Sequence, residues 1–256
     1  MFGKPPVGFN EVEMSPGLWA ISIDPDDAIR EYLEVQLPVR AMGQLLHRSR
    51  LFSYLAAATP GLAEMVTVGK VWELALNKRK SPDAPRTYDL VIVDAPATGH
   101  GVGFLQTPGN FAEIARVGPL ANQAGRIEAT LSDRDQTGVV IVTSPEEMAV
   151  NESVGLETAL TEAGDFEVDR IYANAVYPRR FDAAELTELE TLAAGADSEA
   201  KPAIESAVTE MGRALAQAEQ LESLRERTQA PVSELPFLFA ESIGPGELAL
   251  LAEAIG

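Results

Sequence analysis

Apolar and polar positions follow two different patterns along this chain, and their order predicts the class of fold. Short segments rich in β-branched and aromatic residues are separated by longer stretches in which leucine, valine and alanine recur at helical spacing. Three of the short segments are nearly continuous apolar runs, as expected of strands covered on both faces. The alternation favours an α/β fold with a mainly parallel sheet and helical insertions. The predicted strands are residues 18–24, 88–94, 138–143, 170–176 and 234–239.

Two longer segments carry helical periodicity without a strand signal. Residues 27–80 are too long for a single crossover helix, so we expect a helical subdomain inserted into the sheet domain. Residues 182–229 predict an acidic helical hairpin, in which Met211 and Leu221 belong to one apolar stripe. The stripe fits a hairpin packed on the domain or a helix that faces a partner. We expect residues 1–256 to form a single domain that contains both segments.

Two junctions carry signals for the start of a helix. Asp24 is followed by Pro25, which predicts an N-cap aspartate with proline at the first helical position. Ser144 is followed by Pro145, and Glu147 comes three residues after Ser144, which predicts a capping box. We therefore expect the carboxylates of these junctions to be structural.

The composition narrows the class of protein. With 46% hydrophobic residues in 256, the chain can build a sizeable core. Its formal charge of −19 at pH 7 repels nucleic acid and anionic membrane surfaces. The absence of cysteine excludes disulfides and thiolate metal sites, and two histidines disfavour a zinc cluster. No apolar run has the length of a signal peptide or of a membrane helix, so we expect a cytoplasmic protein without membrane insertion.

The segment VIVDAPATGH holds the first candidate site. A strand that ends in Asp94 at the carboxyl edge of a parallel sheet lies where ligands of such sheets bind. A carboxylate there can hold magnesium-bound water beside a phosphate. A helix-capping or turn role is the alternative for Asp94, and a structural hydrogen bond is the more common role for a lone histidine such as His100. The glycines of this loop do not meet the G-x-G-x-x-G spacing, so the signal for dinucleotide binding is weak.

The second candidate is Asn174, in or at the end of the predicted strand 170–176. A buried asparagine is costly unless it is hydrogen-bonded. Its carboxamide has a donor and an acceptor, and so it can pair with the edge of an adenine or satisfy a neighbouring loop. The residues alone leave both roles open.

Three motifs, spread over nearly the whole chain, resemble motifs of one ATPase family. The family's D-T-A-P-T-G-H-T is similar to VDAPATGHG at 93–101, with the proline shifted by one. Its strand asparagine is matched by Asn174 in YANAV. Its late motif L-P-x-x-x-x-E-x-x-G is matched by Leu235, Pro236, Glu241 and Gly244. The family comprises the arsenical pump-driving ATPases and the guided-entry ATPases that target tail-anchored membrane proteins.

This resemblance implies a sheet of the P-loop NTPase type, with ATP and Mg²⁺ as ligands. Asp94 would be the catalytic carboxylate that holds magnesium through water. Thr98, Gly99 and His100 would form the switch loop that senses the γ-phosphate. The implied nucleotide-binding residues on the adenine side are Asn174, Pro236, Phe237 and Leu238. The resemblance also implies a homo- or heterodimer with a family member, and a client protein or membrane-transport partner that responds to the nucleotide state.

The chain departs from this family at the phosphate loop, because no G-x-x-x-x-G-K-[ST] occurs in it. We expect a strand–P-loop–helix unit of about 30 residues or more to be missing before Met1, with natural loss of the loop as the alternative. The chain as it stands is then expected to hydrolyse ATP poorly. The alternative functions are a non-catalytic partner subunit or chaperone-like binding module and, less favoured, an NAD-dependent oxidoreductase.

Overall fold

The computed structural model divides the chain into two units, formed by residues 2–137 and residues 138–256 and called here the N-terminal unit and the C-terminal unit. The α/β class with a parallel sheet is confirmed, and the parallel strands lie in the C-terminal unit. The structure describes residues 6–36, 61–76, 88–96, 99–115, 119–163, 166–195 and 200–255.

The N-terminal unit begins with a hairpin. Strands β1 (Val12–Ser15) and β2 (Leu18–Ala20) pair antiparallel. Pro16 and Gly17 make the turn between them, and Gly17 has φ +81°, a left-handed value that glycine adopts without steric cost. The prediction of residues 18–24 as a strand of the parallel sheet is therefore wrong. Only its first three residues form a strand, and their partner is β1.

Four helices follow the hairpin in the described part of this unit. They are α1 (Pro25–Gln36), α2 (Leu62–Ala75), α3 (Gly99–Ala115) and α4 (Pro119–Leu131). Helix α2 contacts each of the other three. One buried hydrophobic cluster of the unit consists of Met65, Val68, Phe104, Ala124 and Ile127. A hydrogen bond of 3.0 Å from the Trp72 indole to the Thr130 hydroxyl also ties α2 to α4.

A buried cation holds α1 against α2. Lys70 is only 7% exposed, and a buried ammonium group is costly unless it is paired. Its Nζ lies 2.6 Å from a carboxylate oxygen of Glu31 in α1 and 3.2 Å from one of Glu73 in α2. The same ammonium group lies 5.4 Å from the centre of the Phe9 ring. The two carboxylates therefore give Lys70 its counter-charges.

The predicted strand 88–94 is not realised. Within the described residues, 88–96 have no strand partner, and the side chains of Leu90 and Ile92 are 75% and 86% exposed. An apolar run indicates a preference for burial, but a strand also needs a neighbour that supplies ladder hydrogen bonds. The described part of the chain offers no such neighbour to this segment.

The C-terminal unit contains a parallel sheet with the strand order β3–β4–β5. Its strands are β3 (Val139–Thr143), β4 (Val168–Val176) and β5 (Val232–Pro236). Ile141, Ile171 and Val232 lie side by side across the sheet. The predictions of strands at 138–143 and 170–176 are confirmed. The strand predicted at 234–239 begins two residues earlier and ends at Pro236.

The sheet is accompanied by helices α5 (Glu147–Glu162), α6 (Ala183–Gly195), α7 (Lys201–Arg227) and α8 (Pro245–Ile255). Helix α5 contacts β3 and α7, α7 contacts β4 and α6, and α8 contacts β5. Met211 and Leu221 of the predicted apolar stripe are buried. Of the helices in the described ranges, none combines the length and apolarity that a bilayer span requires.

One of the two predicted helix caps is confirmed and the other is wrong. Asp24 caps α1, since its Oδ1 accepts hydrogen bonds from the backbone N–H groups of Asp26 and Asp27 at 2.9 and 3.2 Å. Ser144 does not cap α5. Glu146 is the N-cap, with extended backbone and no side-chain cap, because the chain turns into the helix after the buried Pro145.

Glu157 joins α5 to the chain that enters β5. It is 7% exposed, and its carboxylate accepts hydrogen bonds from the backbone N–H of Ala230 at 2.8 Å and of Gln229 at 3.1 and 3.2 Å. A carboxylate can accept several donors at once, so one side chain satisfies two consecutive peptide groups. The start of β5 is thereby tied to α5.

We expect Glu157→Ala to lower the free energy of unfolding by about 2–4 kcal/mol, because the buried Ala230 N–H loses its acceptor and the backbone at 229–230 loses its anchor. Urea denaturation monitored by circular dichroism measures this change. Glu152→Ala, at an exposed position of the same helix, is the control and should change the free energy by less than about 0.5 kcal/mol. Equal effects of the two substitutions would contradict the anchoring role of Glu157.

Candidate functional site

The predicted site residues lie in both units, and Asp94 belongs to the N-terminal one. Its side chain is exposed, near the end of the extended segment 88–96. It lines a cavity of about 740 Å³ whose other walls include the hairpin, α2 and Phe104 of α3. Glu64 and Thr67 of α2 are polar lining residues of the same cavity. A space of this volume is typical of small-molecule sites.

The loop after Asp94 leads directly into the N-terminus of α3. Gly99 and His100 are the first residues of this helix, whereas Thr98 and the side chain of His100 lie outside the described residues. A Cβ atom on Gly101 would come 2.8 Å from the carbonyl oxygen of Pro96, a distance that real Cβ atoms do not show. Glycine at 101 therefore allows the loop to lie against the first turn of α3. The first N–H groups of a helix lack helical partners and carry partial positive charge.

The oxygen atoms of the side chains that line the cavity with Asp94 are of the kind that binds Mg²⁺. This ion prefers oxygen ligands and is usually held by one or two protein carboxylates together with phosphate and water oxygens. Asp94 supplies one carboxylate, and Glu64 and Thr67 add oxygen atoms to the same cavity. Among the described residues, no three histidine, aspartate or glutamate side chains form a cluster that would hold a metal by itself.

Asn174 lies at the carboxyl end of β4 in the C-terminal unit. It is exposed, and its side chain makes no hydrogen bond to another described residue, so the expected burial is wrong. The next residue, Ala175, has φ +62° and is the one non-glycine residue with positive φ in the described ranges. This conformation costs about 1–2 kcal/mol for a residue with a Cβ atom. The pairing of β4 with β5 is also irregular here, between Ala173 and Val176.

The carboxyl end of β5 lies beside that of β4, as parallel pairing requires. The backbone N–H of Phe237 donates to the carbonyl of Val176 at 2.9 Å. The structure therefore brings Pro236, Phe237 and Leu238 to the same sheet edge as Asn174. Leu238 is half-buried, and its carbonyl accepts a hydrogen bond from the Ala240 N–H at 2.8 Å.

Three aromatic rings form a cluster at this edge. The rings of Tyr177 and Phe237 are stacked, with centroids 4.4 Å apart and an interplanar angle of 16°. Phe239 packs edge-on against both, at 5.8 Å from Tyr177 and 4.9 Å from Phe237. Two guanidinium groups lie over these rings, Arg180 at 5.2 Å from Phe239 and Arg213 at 6.0 Å from Tyr177. Such surfaces suit a planar ring that carries an anionic group.

A cavity of about 730 Å³ adjoins the aromatic cluster. Its walls include Tyr177, Phe237 and Phe239 together with residues of α7, whereas neither Leu238 nor Asn174 is among the described residues that line it. Tyr177, Phe239 and Arg180 were not predicted as site residues from the sequence. The signal was the aromatic and basic run YPRRF directly after β4 and the aromatic pair in FLF directly after β5.

In the late E-x-x-G motif, Gly244 has a structural role at the start of α8. Gly244 precedes α8, and its backbone N–H donates to a carboxylate oxygen of Glu247 at 2.9 Å. Hydrogen bonds from the backbone N–H groups of Glu247 and Gly244 lower the pKa of the Glu247 carboxyl group. The carbonyl of Gly244 accepts the N–H of Leu248 at 3.0 Å. Glu241, the other residue of the motif, is exposed.

Comparisons with known proteins identify the relatives of this chain. The model of the anion-transporting ATPase family matches residues 6–123 and 113–255. ATPase BagA of Mycobacterium tuberculosis is 26% identical over 207 residues, which are 77% of this chain and 58% of that protein. A putative arsenical pump-driving ATPase of Halobacterium salinarum is 30% identical over 164 residues, 58% of this chain and 24% of that protein. ATPase GET3 of Chaetomium globosum is 32% identical over 109 residues, 42% of this chain and 30% of that protein.

The family match spans nearly the whole chain, and it includes Asp94, Asn174 and the late motif. The chain covers 58% of the length of the mycobacterial relative. The resemblance drawn from the loop after Asp94, from Asn174 and from the late motif is therefore confirmed. This chain belongs to the anion-transporting ATPase family.

Proposed function

We propose that this chain binds ATP together with Mg²⁺ and forms part of an ATP-hydrolysing site. The observation that carries the proposal is the path from Asp94 through its loop to the N-terminus of α3, in a member of the anion-transporting ATPase family. A carboxylate and a helix N-terminus attract opposite charges, a cation and an anion respectively. A magnesium–phosphate group presents both charges.

In this proposal Asp94 holds the magnesium ion through water. The first turn of α3, with Gly99 and His100, faces the γ-phosphate of ATP. Together with Thr98, these two residues form the switch loop. The close approach of Pro96 to Gly101 supports a coupled motion, because a shift of the Pro96 carbonyl towards α3 would press on that first turn. The bound Mg²⁺ supplies charge neutralisation at the phosphate oxygens.

For the adenine base, we propose contact with the shared carboxyl edge of β4 and β5 in the C-terminal unit. The carboxamide of Asn174 offers a donor and an acceptor to the edge of the base, and it has no competing partner among the described residues. Pro236, Phe237 and Leu238 follow β5 at the same edge. The stacked Tyr177–Phe237 pair adds an aromatic surface that the base can contact.

We further propose that the nucleotide state acts on the helical subdomain 27–80 and through it on a client or a membrane-transport partner. One relative is named as a putative arsenical pump-driving ATPase, which supports a transport partner. Association with a second family member, as a homo- or heterodimer, is part of this proposal. The acidic helical hairpin predicted at 182–229 falls within the C-terminal unit. We do not propose that it moves with the nucleotide state.

A second candidate is a non-catalytic partner subunit that binds nucleotide without hydrolysing it. The observation that favours it is the absence of G-x-x-x-x-G-K-[ST] from these 256 residues. Such a loop supplies the backbone N–H groups and the lysine that hold the β- and γ-phosphates. The two candidates differ in turnover rather than in binding.

Titration calorimetry of the purified chain with ATP, ADP and NAD tests nucleotide binding, which both candidate functions require. An assay of phosphate release then distinguishes the two. We expect ATP binding that strengthens with Mg²⁺. Turnover that depends on Mg²⁺ supports an ATPase, whereas binding without turnover supports the partner subunit. Binding of NAD in preference to ATP would overturn both candidates.

We expect Asp94→Asn to weaken binding of Mg–ATP by about tenfold, equivalent to about 1.4 kcal/mol, and to leave binding of metal-free ATP nearly unchanged. The amide keeps the shape of the side chain but removes the charge that attracts Mg²⁺. Calorimetry in the presence of Mg²⁺ or of EDTA measures both affinities. Asp89→Asn, an exposed change on the same segment, should leave both affinities within twofold. Loss of affinity without Mg²⁺ would remove Asp94 from the metal site.

We expect Gly101→Ala to weaken Mg–ATP binding by about tenfold, or about 1.4 kcal/mol, because the new Cβ atom pushes the Pro96 carbonyl and the loop off the first turn of α3. Gly103→Ala is a matched control in the same helix, where a Cβ atom meets no other atom within 4 Å. It should keep the affinity and raise the unfolding free energy by about 0.5–1 kcal/mol through helix propensity. Equal affinities of the two variants would show that the loop position does not matter for binding.

A further inference from the structure

The strained backbone at Ala175 is held by one side chain from a different element. Gln217 of α7 donates from its Nε2 to the carbonyl of Ala175 at 3.2 Å and accepts the backbone N–H of Tyr177 at its Oε1 at 2.8 Å. The two partners lie on either side of Val176. A carboxamide carries a donor and an acceptor side by side, and here both are used.

These two hydrogen bonds hold the chain where the pairing of β4 with β5 is irregular and β4 ends. Pairing with β5 is interrupted between Ala173 and Val176, and the left-handed φ of Ala175 turns the strand there. A backbone carbonyl and a backbone N–H that leave a ladder need new partners. Gln217 supplies both, from a position 40 residues along the chain from Tyr177 and 42 from Ala175.

The segment that Gln217 holds carries the groups proposed to contact the base. Asn174 immediately precedes the left-handed residue, so the conformation of Ala175 affects the direction in which the chain presents it. Tyr177 is the residue whose N–H Gln217 accepts, and its ring stacks on Phe237 at 4.4 Å. One side chain in α7 therefore holds the backbone between the two proposed contacts to the base, Asn174 and the Tyr177 ring.

We propose that Gln217 is a positioning residue for recognition of the adenine base. It keeps residues 174–177 in the turned conformation that presents the Asn174 carboxamide and the Tyr177–Phe237 rings to the base. This inference rests on the proposed nucleotide-binding function and adds to it a residue that does not touch the ligand. It also assigns base selectivity to a contact between α7 and β4.

The test compares the affinities for ATP and GTP, because a residue that only stabilises the fold would change both equally. We expect the purified full chain to prefer ATP. Gln217→Ala should weaken ATP binding by about tenfold and bring the ratio of the ATP and GTP affinities close to one. Gln220→Ala is the matched control on the same helix, since the Gln220 side chain makes no hydrogen bond to another described residue. It should leave the ratio within twofold of the parent value.

A rescue variant separates positioning from folding. Ala175→Gly removes the Cβ atom that opposes a positive φ, so the turned conformation no longer needs to be enforced. In the Gln217→Ala background, Ala175→Gly should raise the ATP affinity at least threefold and so recover part of the loss. If Gln217→Ala does not fold, Gln217→Glu replaces it. The glutamate keeps the acceptor for Tyr177, but its oxygen faces the Ala175 carbonyl without a proton to donate, so the same loss of selectivity is expected.

The outcomes distinguish this inference from the function on which it rests. If the parent chain binds neither nucleotide, the proposed function and the inference both fail. If the parent prefers ATP and the folded Gln217 variants keep that preference, the inference alone fails. Equal losses for ATP and GTP would also overturn it, as would a parent chain that binds both nucleotides equally.

Discussion

Parallel pairing of β4 with both of its neighbours is the constraint on which the C-terminal unit depends. Parallel strands cannot be joined by a tight turn, so each connection must return along the sheet through a helix. Helix α5 returns the chain between β3 and β4, and the segment that contains α6 and α7 does so between β4 and β5. All three strands therefore end at one edge. The groups that follow these strands are collected there by topology.

The N-terminal unit obtains its order from helix packing instead. Helix α2 is apolar on several sides and lies between its neighbours, so its burial does not depend on a sheet. The charge of Lys70 inside this packing makes the fit between α1 and α2 specific, because a shift of either helix would separate the ammonium group from a counter-charge. Asp94 is attached to a unit whose stability comes from helices, whereas Asn174 is attached to a sheet.

Local signals predicted what depends on local chemistry. The apolar runs of β3 and β4 and the Asp24 cap were identifiable because strand burial and capping are decided within a few residues. The segment 88–94 has the same apolar pattern as β3, yet it lacks a partner strand among the described residues, and no pattern within a segment reveals its neighbour. The cap predicted at Ser144 was wrong because the turn from the sheet into α5 takes in Pro145 and ends at Glu146, which is the N-cap. The family resemblance of the Asp94 loop came from its motif rather than from periodicity.

The groups at the edge of β4 and β5 were less accessible to sequence reasoning. Gln217 has the same appearance as any polar residue on a long acidic helix, and only the fold shows that it reaches the backbone of another element. The positive φ of Ala175 is equally hidden, because alanine gives no sign of a left-handed conformation. Tyr177 and Phe239 were visible as aromatic residues, but their stacking arises from two strands that are far apart in the sequence.

The contact of Glu157 with the chain before β5 has a consequence for the order of folding. The carboxylate and the Ala230 N–H are 73 positions apart, so this hydrogen bond closes a long loop whose entropic cost must be met before the contact forms. During synthesis, α5 leaves the ribosome well before Ala230, whose N–H donates to the Glu157 carboxylate. The sheet edge with β5 is thus completed late, and long-range contacts of this kind slow folding. Until β5 arrives, the open side of β4 is a surface that other unfolded chains can add to.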